Sequence, residues 1–131
     1  MVTMNKLKKI INKSIKNVQK TNVKSIPKIY DTYYYGNFKI NPGLLVIVYI
    51  FKTDLDLKVA IDNGLIKQIE SETKKNLLDF GYPRDKFEEK EVKISKENFF
   101  DELNNPKVKI KFISNQRVQE ESNGILFDYL K

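Results

Sequence analysis

The chain has 131 residues, 40% hydrophobic and 31% charged, as expected of one globular domain over 1–131 that buries about two-thirds of its unfolded surface without a metal or disulfide. It has no cysteine and no histidine, which excludes disulfides, thiolate or imidazole metal sites, a cysteine nucleophile, a Ser-His-Asp triad and a histidine proton shuttle. The net charge is +7, yet residues 1–28 hold eight lysines and no acid while the rest carries 16 basic and 17 acidic residues, so the excess lies in the N-terminal segment.

Along the chain, Met4, Leu7, Ile10, Ile11, Ile15 and Val18 recur at steps of three and four. That spacing predicts an amphipathic helix over about 3–20, with Thr3 as its cap and lysines on the outer face. Pro27 ends any continuation, and an α+β body follows over about 29–131. Residues 29–40 read as a strand and Asn41-Pro42-Gly43 as a type II turn. The run LLVIVYIF at 44–51 continues through Lys52 as a central strand apolar on both faces. Eight residues fall far short of the about 20 that a membrane helix needs. The N-terminus has charge but no continuous apolar core of a signal peptide, so a cytoplasmic location is expected.

Thr53-Asp54-Leu55-Asp56 reads as a capped helix start, with a break or kink at Asn63-Gly64 and a stop at Gly81 with Pro83. Residues 84–91 are charged and read as an exposed loop. Val92 and Ile94 fit a short strand, and Ser95 to Leu103 a short helix. Val108, Ile110 and Phe112 alternate with Lys107, Lys109 and Lys111, a half-buried strand whose lysines guard a solvent face. Ser114 caps a helical turn through Glu121, and 125–130 reads as a terminal strand. The expected fold is α+β, an antiparallel sheet of about four or five strands with helices mainly on one face.

The aromatic run DTYYYGNF at 31–38 looks at first like a stacking platform. Alternation along a strand forbids one, because Tyr33 and Tyr35 share a face while Tyr34 points to the other with Phe38 and Ile40. A sheet that stacks nucleic-acid bases also needs basic neighbours, and only Lys39 is near in sequence. The lysine-rich helix, with Lys6, Lys9, Lys13, Lys16 and Lys20, is the alternative nucleic-acid surface, or one for anionic lipid. Against phosphate recognition, the chain has 22 lysines but only two arginines, Arg84 and Arg117. Asp79 or Asp85 with Glu91-Val92-Lys93 imitates a magnesium nuclease motif, but Glu88-Glu89-Lys90 fits it as well, so the pattern is common by chance here. No glycine-rich phosphate cradle occurs. No catalytic residue, metal ligand or cofactor is assigned, and the chain is expected not to be an enzyme.

The stretches YYYGNFKINPGLLVIVYIFKTD, FGYP and FISNQRVQEESNGILFDYLK, behind a leading helix, form a sequence of elements that resembles small uncharacterised α+β proteins of low-GC bacteria. The resemblance spans roughly 30–131. Some of those proteins are immunity proteins, encoded beside secreted toxins and binding them in the cytoplasm. It implies a non-enzymatic protein-binding module that inhibits a toxin by covering its surface, and it assigns no residue roles. Many immunity families are acidic, whereas this chain is basic. Independently of it, interface physics marks Tyr33 and Tyr35 as anchors and Glu88, Glu89 and Glu91 as steering charges for a protein partner.

Overall fold

In the computed structural model, residues 4–87 and 106–122 are described. Leu7, Ile10, Ile11, Ile15 and Val18 line one side of α1 (Met4–Thr21), and all five are buried. Ser14 lies on the same side, with its hydroxyl donating to the Ile10 carbonyl at 2.8 Å, so the polar atom enters the core satisfied. The helix ends six residues before Pro27.

The first strand, β1 (Asp31–Tyr35), is shorter than the expected 29–40. Gly36 breaks it with φ +107, and a Cβ there would stand 2.0 Å from the Leu44 carbonyl oxygen, so only glycine fits. Residues 37–40 then turn, with Ile40 N–H donating to the Asn37 carbonyl, and Ile40 is 76% exposed rather than facing the core with Tyr34 and Phe38. The expected type II turn is a 3-10 turn over Pro42–Leu44, capped by the Asn41 side chain, which accepts from Gly43 N–H. Gly43 does not supply a positive φ; it supplies space, because a Cβ there would meet the Pro106 carbonyl oxygen at 1.7 Å.

The second strand, β2 (Val46–Phe51), leads into α2 (Asp54–Asp62), whose first turn is capped as its sequence predicts, with Thr53 Oγ1 accepting from Asp56 N–H at 3.0 Å. Asn63-Gly64 separates α2 from α3 (Leu65–Asp79), and Asn63 Oδ1 accepts from Leu65 N–H. The chain returns in β3 (Lys109–Ser114) and enters α4 (Asn115–Ser122), where Ser114 Oγ accepts from Arg117 N–H at 3.1 Å.

The sheet order is β1-β2-β3, with β1 antiparallel and β3 parallel to β2. Among the described residues the sheet has three strands and is mixed, which corrects the expected antiparallel arrangement; the expected count of four or five includes strands outside the described residues. The physical reason is the connection. A short link sets β1 against β2, whereas β3 is reached only after α2 and α3, a crossover long enough to bring the chain back beside the start of β2. The strands expected at 92–94 and 125–130, the helix at 95–103 and the Thr3 cap lie outside the described residues.

Ile47, Tyr49 and Phe51 of β2 point into the main core, which α1, α2 and α3 close with Leu7, Ile11, Val18, Ala60, Ile69 and Leu77. Val48 and Ile50 on the opposite face are also buried, though outside that cluster. A central strand covered on both faces is what its unbroken apolar run predicts. Tyr49 stacks on Phe112 at 5.7 Å between ring centroids.

Candidate functional site

The register of β1 divides the three tyrosines. Tyr34, paired with Ile47, packs on the core with its ring 6.1 Å from that of Phe38. Tyr33, paired with Val48, turns to the outer sheet face and is 46% exposed; Tyr35 follows on the same face, half-buried. The parallel pairing of β3 then places Lys111 beside Val48 and Lys109 beside Val46. Two rows result across the sheet, Tyr33-Val48-Lys111 and Tyr35-Val46-Lys109. Neighbouring strands lie about 4.8 Å apart, so each lysine backbone stands about 10 Å from its tyrosine backbone. Lys111 Nζ leans diagonally to 3.5 Å from the Tyr35 hydroxyl. Asp31 shares this face, and its charge and its hydrogen bond to the Tyr33 hydroxyl raise the Tyr33 pKa above the ordinary value.

Sequence reasoning found only Lys39 near the tyrosines because it looked along one strand. The signal for Lys109 and Lys111 was present as alternation in 107–112, but their place on the tyrosine face depends on β3 lying next to β2. Lys107, the third lysine of that alternation, is instead half-buried and donates to the Asp85 carbonyl.

A second locus lies where β2 and β3 end and α2 and α4 begin. An open cleft of about 330 Å³ is lined there by Asp54, Lys58, Ile61, Phe112, Ser114 and Arg117, among others. The carboxyl ends of parallel strands are a common ligand position. Here the polar groups are engaged with one another. Ser114 Oγ donates to Asp54 Oδ1, Arg117 Nε stands 3.9 Å from the same oxygen, and Asp54 N–H donates to Gln116 Oε1. Gln116 N–H donates to the Lys52 carbonyl, so the two helix starts are tied together. The arrangement braces the fold, and no signal in the separate stretches 52–56 and 114–117 joined them.

The lysines of α1 form the third feature. Lys6, Lys9, Lys13, Lys16 and Lys20 are all exposed, opposite the buried apolar stripe. The three ion pairs among the described residues are Lys74–Glu70, Lys86–Asp85 and Arg117–Asp54, and none involves Lys9, Lys13, Lys16 or Lys20.

Glu88, Glu89 and Glu91, and with them the nuclease-like Glu91-Val92-Lys93, lie outside the described residues. Among the described residues no group of three or more acids, histidines or cysteines could hold a metal ion, and no helix is long and apolar enough to cross a membrane. No protein-family model, no curated protein and no solved structure matches the chain.

Proposed function

We propose that the chain is a non-enzymatic protein-binding module of the bacterial cytoplasm, of the immunity type that inhibits a toxin by covering part of its surface. The observation that carries this reading is that, on the sheet face opposite the main core, exposed Tyr33 and half-buried Tyr35 stand opposite exposed Lys111 and Lys109, with Val48 buried between them. Tyrosines anchor interfaces because they bring large area with few rotatable bonds, and flanking charges steer the encounter and fix orientation. Absent histidine and cysteine leave catalysis to carboxylates, lysines and tyrosines, and Asp54, the carboxylate at the cleft between α2 and β3, is engaged by Ser114 and Arg117. Asp31 on the tyrosine face counts against a nucleic-acid backbone there, since it would repel phosphate beside Tyr33.

Affinity capture from native lysate, with and without nuclease, tests the reading. The expected result is one protein retained in stoichiometric amount after nuclease treatment and lost with Tyr33→Ala plus Tyr35→Ala. Retention of nucleic acid alone, or a protein partner indifferent to both substitutions, overturns it.

A further inference from the structure

Lys9, Lys13, Lys16 and Lys20 succeed one another at steps of four, three and four along α1. On a helix these positions share one narrow arc, a straight row about 17 Å long with a charge at each turn. The buried stripe of Leu7, Ile11 and Val18 occupies the opposite side, so the row faces away from the body. Its apolar side is committed to the core, which excludes an α1 that peels off and inserts its own stripe into a bilayer.

The segment just past the row supplies a second observation. The bond from Asn22 N–H to the Val18 carbonyl, at 3.0 Å, carries the helical register past Thr21. Asn22 falls on the buried side, where its amide also donates to Glu72 at 2.7 Å, and Val23 and Lys24 follow it in the exposed turn that leaves the helix. Val23 is 62% exposed and Ile26 81% exposed. Lys20, Lys24 and Lys28 flank them in the sequence, and Lys24 and Lys28 also have no acidic partner among the described residues. Tyr30, exposed as well, stands at the end of the same segment.

We infer that this surface, the lysine row with the Val23–Ile26 tip, docks the chain on an anionic lipid surface. The docking concerns a face distinct from the tyrosine face and goes beyond the protein-binding reading. Lysine ammonium groups hold lipid headgroups by charge without needing the bidentate geometry that arginine gives to phosphate, and α1 has no arginine. Exposed valine and isoleucine just after a cationic helix have no use against a nucleic-acid backbone, whereas at a membrane they enter the boundary between headgroups and acyl chains.

Flotation of the full chain with vesicles tests the inference. Vesicles of equal parts phosphatidylglycerol and phosphatidylcholine should bind it at about 0.05 M salt and lose most of it at about 0.5 M, while phosphatidylcholine alone should not bind it. Each lysine is worth about 1 kcal/mol near such a surface, so Lys13→Ala with Lys16→Ala should weaken partition about 30-fold. Val23→Ser with Ile26→Ser should abolish the binding that survives high salt. These positions are exposed, and circular dichroism verifies that each variant folds. No binding to the anionic vesicles at low salt, binding unchanged by either pair of substitutions, or tighter binding to a random duplex DNA of matched charge concentration overturns the inference.

Discussion

Tyr49 in the central strand and Thr73 in α3 meet at 2.7 Å between hydroxyl oxygens, and both residues are wholly buried. The Thr73 hydroxyl already donates to the Ile69 carbonyl at 2.7 Å, so in this pair the proton comes from Tyr49. The bond ties sheet to helix inside the main core, and stacking on Phe112 holds the tyrosine ring against β3.

The direction of that bond predicts unequal substitutions. Tyr49→Phe removes the donor and leaves Thr73 still bonded to Ile69, at a cost of about 1 kcal/mol. Thr73→Val keeps the shape but leaves the Tyr49 hydroxyl buried without a partner, at a cost of about 1–3 kcal/mol. The double substitution should cost less than the sum of the two, because the stranded hydroxyl is gone. Urea unfolding of the four chains measures this coupling, and strict additivity would show that the hydroxyls do not depend on each other.

The same burial makes the fold sensitive to alkali. Desolvation pushes the Tyr49 pKa from 10.0 up to about 12, and the Glu72 charge adds to the rise. Burial raises the Tyr82 pKa as well. The sign depends on which state keeps its proton. Below pH about 10 folded and unfolded chains both hold it, and the stabilisation is fully present. Between about 10 and about 12 the unfolded chain ionises and the folded one does not, so stability falls by about 1.4 kcal/mol per pH unit for Tyr49. Thermal unfolding across this range should show the decline, and Tyr49→Phe should flatten it. A slope identical in both chains would mean that Tyr49 does not titrate in this way.

Local physics was legible in the sequence wherever a single segment determined it. The stripe of α1, the Thr53 and Ser114 caps, the break at Asn63-Gly64 and the split of Tyr34 from Tyr33 and Tyr35 all come from spacing within a few residues. Non-local pairing was not legible. Nothing in KVKIKF states that β3 runs parallel beside β2, so neither the mixed sheet nor the meeting of Lys111 with the tyrosine face could be read from it. Ile40 was misplaced for a different reason. The alternation from Tyr34 was extended through Gly36, whose φ of +107 ends the strand and discards the register.

Gly43 shows how a residue's identity can be read correctly and its reason missed. The turn needs a glycine there, but for the space that the Pro106 carbonyl occupies rather than for backbone freedom. Gly64 is the converse, with φ +83 and no atom within 4 Å of the place a Cβ would take. Gly64→Ala should therefore cost only the left-handed backbone penalty, about 1–2 kcal/mol, partly offset by the lower entropy of the unfolded chain. Gly43→Ala drives a methyl into backbone and must move the segment at Pro106 away from the turn, which also disturbs Val108 and the start of β3. It should cost more than Gly64→Ala, and the hydrogen bond from Lys109 N–H to the Leu45 carbonyl, 3.0 Å long, should be lost with it. Hydrogen exchange at Lys109 distinguishes the two variants: faster in Gly43→Ala beyond the change in global stability, and unchanged beyond it in Gly64→Ala. Equal costs, with protection at Lys109 intact in both, would show that the close approach of Gly43 to Pro106 does not hold β3 in place.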